Sequence, residues 1–172
     1  MSAHILIIDD EKNYLLLLET LLSEEGYTIT ALQDPELAID YLAESELDVV
    51  ITDMKMPKVS GQEVLEQVKK NYPHIPVLIM TAYGSMDGAV QSMRCGAFDY
   101  ISKPFSNEEL KISVDKAVRM SKAQQQNRIL RQTLEEYSGT DQIIGRSSVI
   151  RTVLDMINKV APSNSNVLIT GE

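Results

Sequence analysis

Cysteine is almost absent: Cys95 stands alone, so no disulfide can form within the chain. It sits in Met93-Arg94-Cys95-Gly96-Ala97-Phe98, where a small buried hydrophobe is expected rather than a reactive thiol. Beside it are two histidines, too few partners for a zinc site of the usual kind. Basic charge is short as well. Lys and Arg number 16 against 25 Asp and Glu, a formal net charge of −9. Broad nucleic-acid binding is disfavoured, because contacts to a phosphate backbone need clustered Lys and Arg. The balance suits a chain that meets other proteins, or a cation. No apolar run approaches the roughly 20 residues that span a bilayer. Met1-Ser2-Ala3-His4-Ile5 lacks the basic-then-apolar layout of a secretory signal. A cytoplasmic protein with no membrane partner is the expectation. What is present is an ordinary globular mixture, 44% hydrophobic and 24% charged over 172 residues. That length allows one domain with a core of normal size and part of another.

Short apolar runs alternate with helical patterns. His4-Ile5-Leu6-Ile7-Ile8 is nearly continuous apolar, as a parallel strand covered on both faces requires. Leu15, Leu18 and Leu22 recur at helical spacing before Gly26 ends that helix. A second strand is expected over 27–31, and a helix from Pro35 to about Ala43 with Asp34 as its cap. Strand three is expected over 48–52, then a helix from Gln62 to about Asn71, strand four over 75–80, a helix from about Met86 to Arg94, and strand five over 98–101. Ser106, with Glu109 at capping-box spacing, opens a long last helix. Five strand–helix repeats imply a doubly wound α/β domain. By analogy with known sheets of this kind, the expected strand order is 2-1-3-4-5. Ligand sites in such sheets lie beyond the carboxyl ends of the strands.

The last helix outruns the domain. Helix-favouring residues continue to about Tyr137, and from Ser121 they turn polar. Met120, Ala123, Asn127, Leu130, Leu134 and Tyr137 alternate by three and four, the spacing of a coiled-coil seam with Asn127 able to fix register. The expected divisions are a domain over 1–120, a helical linker over 121–141 with coiled-coil potential, and a separate segment over 142–172. That segment should form a helix from about Val149 to Val160 and a strand over 167–170. It is too short to bury a core alone.

The acids fall where chemistry would need them. Asp9 and Asp10 end strand one, Asp53 ends strand three, Thr81 ends strand four and Lys103 follows strand five. All share one edge of a parallel sheet. Carboxylates gathered there repel and call for a cation, and oxygen ligands with open positions suit Mg2+. Asp10 and Asp53 are the natural side-chain ligands, with the backbone carbonyl of Lys55 a third. A carboxylate so placed can attack phosphorus, while Lys103 and the Thr81 hydroxyl offset charge on the phosphoryl oxygens. The product is an aspartyl phosphate.

The stretches Ile7-Ile8-Asp9-Asp10-Glu11, Val50 through Asp53 to Gly61, Val77-Leu78-Ile79-Met80-Thr81-Ala82 and Tyr100-Ile101-Ser102-Lys103-Pro104-Phe105 resemble response-regulator receiver domains over about residues 3 to 120. The resemblance implies a flavodoxin-like, CheY-like fold. It implies that Asp53 accepts phosphate from the phosphohistidine of a sensor histidine kinase, that Asp9 helps arrange Mg2+ through a water, and that Thr81 and Tyr100 form the switch. Lys103-Pro104 looks like the family's cis peptide. Lys55 and Tyr83 stand two residues past Asp53 and Thr81, where receivers of this kind tune phosphoryl lifetime. Residues 143–147 and 160–172 resemble the start of the AAA+ ATPase domain of NtrC-like, sigma-54-dependent activators. Gly171-Glu172 looks like the opening of that family's phosphate-binding loop, whose remaining glycines, Lys and Ser/Thr are missing here.

The resemblance therefore implies a phosphorelay regulator of transcription, in which phosphorylation changes dimer packing through the last helix and linker and so controls an attached ATPase. ATP, sigma-54 RNA polymerase and DNA would be partners of a longer protein, not of this fragment. No enzyme activity is expected beyond self-phosphorylation and autodephosphorylation on Asp53. The rival reading is a dimerisation or interaction module independent of phosphorylation. A haloacid-dehalogenase-like hydrolase would carry an Asp-x-Asp pattern after strand one, which this chain lacks.

Overall fold

The computed structural model describes residues 2–82, 92–138, 147–162 and 168. Tyr83, most of the helix expected over 86–94, and the expected strand over 167–170 lie outside the described residues, apart from 92–94 and 168. The chain divides into two units, residues 1–127 and 128–172.

In the first unit, five strands form one parallel sheet: β1 (His4–Ile8), β2 (Thr28–Leu32), β3 (Val49–Asp53), β4 (Val77–Thr81) and β5 (Asp99–Ser102). Their order is β2-β1-β3-β4-β5, as expected. The helices are α1 (Lys12–Glu24), α2 (Pro35–Glu44), α3 (Gly61–Asn71), the helical residues 92–94 (α4) and the long α5 (Asn107–Ser138). Strands three and four each run one residue further than their apolar runs. Asp53 pairs with Met80, and Thr81 with Ser102.

Side chains alternate across a strand with period two, so each strand feeds two cores. Ile5, Ile7, Val49, Ile51, Leu78, Met80 and Ile101 pack with Leu15, Leu18 and Leu22 of α1 and with Leu110, Val114 and Ala117 of α5. Leu6, Ile8, Val50, Val77 and Ile79 pack on the other face with Ala38 and Leu42 of α2 and Val64, Leu65 and Val68 of α3. This alternation assigns a face to every residue at the strand ends.

Caps fix where the helices begin. Asp34 accepts the Glu36 N–H at 3.0 Å, as the sequence suggested. Ser106 and Glu109 form the expected capping box, with Glu109 accepting the Ser106 N–H at 3.0 Å. A second box opens α3: Ser60 Oγ accepts the Glu63 N–H, and Glu63 accepts the Ser60 N–H at 2.7 Å. Loss of the hydroxyl in Ser60→Ala is expected to cost about 1 kcal/mol, read as a lower urea midpoint with an unchanged slope.

The buried face of α5 ends with Ser121, and the seam positions Met120, Ala123 and Asn127 are exposed. In the second unit Leu130 is exposed, and α6 (Ser148–Val160) is capped by Ser147, which accepts the Ile150 N–H at 3.3 Å. No residue of α6 is buried. No described helix is long and apolar enough to cross a membrane.

Candidate phosphoryl-acceptor site

Asp9, Asp53, Thr81 and Lys103 are all buried at the carboxyl edge of the sheet. Alternation then separates them. Asp9 continues the parity of Ile5 and Ile7, Asp53 that of Val49 and Ile51, and Lys103 that of Ile101. All three belong to the α1–α5 face. The ladder persists beyond the strands and keeps this parity: Asp9 N–H donates to Leu32 O at 3.3 Å, and Lys103 N–H to Thr81 O at 2.6 Å.

The Lys103 ammonium joins the two acids. Its Nζ lies 2.6 Å from Asp9 Oδ2 and 2.6 Å from Asp53 Oδ1. Each carboxylate has its other oxygen satisfied by backbone: Glu11 N–H donates to Asp9 Oδ1 at 2.9 Å, and Lys55 N–H to Asp53 Oδ2 at 2.7 Å. Burial raises the Asp9 pKa above the ordinary carboxylate value, against the opposing pull of Lys103. Burial also works against the charge on Lys103, yet hydrogen bonds to Asp53 and Asp9 outweigh it and raise that pKa. The Lys103–Pro104 peptide is cis.

Asp10 takes the other parity. It is half-buried and lines a surface hollow with Gln33, Asp34, Pro35, Pro57 and Lys58. There Lys58, at φ +69°, pairs with Glu36 at 2.5 Å. Thr81 and Tyr100 share the parity of Val77 and Ile79, and Tyr100 packs against the α2–α3 core. The two expected switch residues thus lie on one face, while Asp53 and Lys103 lie on the other.

Two residues with no role in the sequence reading belong to this site. Tyr14, on the first turn of α1, places its ring centroid 4.0 Å from Lys103 Nζ. No feature of the adjoining sequence signals this contact. Gly61 lies so close to β3 that a Cβ there would fall 2.1 Å from the Asp53 carbonyl oxygen.

The family model of the response regulator receiver domain matches residues 5–115. The chain belongs to this family. The DNA-binding transcriptional regulator NtrC of Escherichia coli (strain K12) is 34% identical over 166 residues, covering 96% of this chain and 34% of the relative. A response regulator receiver domain protein from Clostridium thermocellum is 39% identical with a TM-score of 0.65, covering 70% of this chain and 98% of that one. The beryllofluoride-activated NtrC4 receiver domain dimer is 30% identical with a TM-score of 0.66, covering 69% and 98%. The chain spans about a third of the length of the curated relatives it matches. The likeness to NtrC-like receivers drawn from its motifs therefore stands.

Receivers of this family use Mg2+ at the phosphorylation site, and the donors here fit such an ion. They are hard oxygens, and three carboxylates against one lysine leave negative charge that a divalent cation would balance. Among the described residues, no three acids are drawn together as a metal cage. Lys103 instead stands between two of them.

Proposed function

We propose that this receiver accepts a phosphoryl group on Asp53 from the phosphohistidine of a sensor histidine kinase. The observation that carries the reading is the buried Lys103 ammonium shared by Asp9 and Asp53 at the carboxyl edge of the sheet. An Asp53 oxygen forms the new bond to phosphorus, the P–N bond breaks, and the departing imidazole keeps the electron pair. Asp53 is held for this by the Lys55 N–H, and Lys103 supplies positive charge where the phosphoryl oxygens arrive. Asp10, Asp53 and the Lys55 carbonyl would hold Mg2+, with Asp9 acting through water. The ion supplies charge neutralisation for the incoming phosphoryl group.

Thr81 then hydrogen-bonds the phosphoryl group, and Tyr100, on the same face, moves inward behind it. The surface around α4, β5 and α5 changes. The exposed Met120, Ala123, Asn127 and Leu130 on α5 fit a seam between two copies. The similar NtrC4 receiver domain forms a dimer, which supports pairing of two copies. Residues 1–120 are then the receiver, 121–141 the linker, and 142–172 the start of an ATPase domain through which a longer sigma-54-dependent, cytoplasmic regulator would act on transcription. The energy for switching is the difference in contacts to the phosphoryl group between the two states.

Intact mass spectrometry with acetyl phosphate and Mg2+ tests this. Wild type is expected to gain one phosphoryl group, Asp53→Asn none, and chelation of Mg2+ should abolish the gain. Equal gain in the Asp53→Asn variant would place the acceptor elsewhere. No gain in either would leave an interaction module independent of phosphorylation.

A further inference from the structure

The Lys103 side chain is only 2% exposed. An ammonium carries three N–H groups, and two carboxylate oxygens at 2.6 Å account for two directions. Its third neighbour is the Tyr14 ring, with the nitrogen 4.0 Å from the centroid. Tyr14 is itself braced, its ring 6.2 Å from that of Phe105 at an interplanar angle of 46°. Phe105 follows the same turn that carries Lys103, so α1 and the approach to α5 close on the ammonium from one side.

We propose that Tyr14 is a positioning residue for phosphoryl acceptance, its ring face pinning the Lys103 ammonium between Asp9 and Asp53. The inference rests on reading Asp53 as the acceptor. A cation over an aromatic face is attracted by the ring quadrupole, more strongly where water is excluded. Lysine needs such a constraint. Its four-carbon stem is flexible and its head is a compact point charge. Two acids to one side would still let the ammonium tilt toward either, and would draw water to the remaining N–H. The ring removes that freedom without competing for a hydrogen bond. The ammonium therefore stands beside Asp53 Oδ1 before charge builds on the phosphoryl oxygens, and little reorganisation is left for the transfer itself. The effect belongs to the ring face, not the hydroxyl, so phenylalanine should replace Tyr14 and an aliphatic side chain should not.

The test compares wild type, Tyr14→Phe and Tyr14→Leu for rate of mass gain with acetyl phosphate and Mg2+, and for the NMR shift of the Lys103 ε-methylene protons. Those signals are assigned by their loss in Lys103→Met. Tyr14→Phe should match wild type in both measurements. Tyr14→Leu should stay folded by circular dichroism, lose the upfield ring shift, and gain mass about tenfold more slowly. Equal rates in all three proteins, or a Phe variant as slow as the Leu variant, would overturn the proposal. Absence of mass gain in wild type would instead refute the acceptor reading of Asp53. The ring shift decides the placement of Tyr14 in either case, since its absence from wild type overturns the proposal directly.

Discussion

Lys103→Met should lose about 3 kcal/mol of stability at neutral pH without divalent cations, because removing one partner of a buried ion pair strands the other charge. Two carboxylates are stranded here. Asp9 and Asp53 each lie 2.6 Å from the same nitrogen. Methionine fills similar space without charge, so the loss reports electrostatics rather than a cavity. Mg2+ should restore more stability to the variant than to wild type, since an ion that binds only the folded state stabilises it by mass action. Phosphoryl uptake should fall about a hundredfold, the usual effect of removing one preorganised donor from developing charge. Urea melts with and without Mg2+, together with intact mass, check both. An unchanged midpoint without Mg2+ would mean that the two acids do not depend on Lys103.

The pH dependence follows from the same charges. Burial raises the folded-state pKa of Asp9 above 3.8, so between that value and the folded one the native protein binds more protons than the unfolded chain. Stability from this group falls as pH rises through that window. In Lys103→Met the opposing pull of the ammonium is gone, so the deficit relative to wild type should shrink as the buffer is made more acidic. Lys103 works at the other end. Its pKa is raised above 10.5 by Asp53 and Asp9 despite burial. Its stabilisation is complete below 10.5 and is lost as pH rises through the folded value. Wild type alone should show that alkaline loss.

The convergence of Asp9, Asp53, Thr81 and Lys103 was legible because each follows an apolar run, and runs of that kind become parallel strands whose ends share an edge. Residue parity was equally available in the sequence, and it divides these side chains between two faces. Asp9 and Asp10 are neighbours in the chain, yet one is sealed against Lys103 and the other lines a hollow beside α2. Tyr14 was less accessible. Nothing in Lys12-Asn13-Tyr14-Leu15 marks a ring that will lie over an ammonium, because the contact depends on the angle at which α1 packs against the turn after β5. The ends of β3 and β4 shifted by one residue for a related reason: register with the neighbouring strand, not side-chain polarity, decides where a ladder stops. Gly61 appeared only as the last residue of a motif. Its purpose lies in a backbone approach that the sequence does not spell out.

That approach gives the second large effect. Gly61 N–H donates to Met54 O at 3.1 Å, which draws the first residue of α3 onto the end of β3. A Cβ at Gly61 would lie 2.1 Å from the Asp53 carbonyl oxygen, 2.9 Å from its carbon and 3.0 Å from Met54 Cα. All three are backbone atoms, so no rotamer change relieves the clash. Either α3 retreats or the end of β3 moves, and Asp53 moves with it. Gly61→Ala should therefore cost about 3 kcal/mol, at the upper end for overpacking. It should also slow phosphoryl uptake about a hundredfold, as ångström-scale displacement of a reacting group can do. Gly26→Ala is the control. That residue has φ +85° with nothing within 4 Å of an added Cβ, and it lies before β2 at the opposite edge of the sheet. It should cost about 1 kcal/mol of left-handed strain and leave uptake unchanged. The pair of variants separates a general loss of stability from a displaced Asp53. A Gly61→Ala protein phosphorylated as fast as Gly26→Ala would show that the end of β3 yields without moving the Asp53 carboxylate.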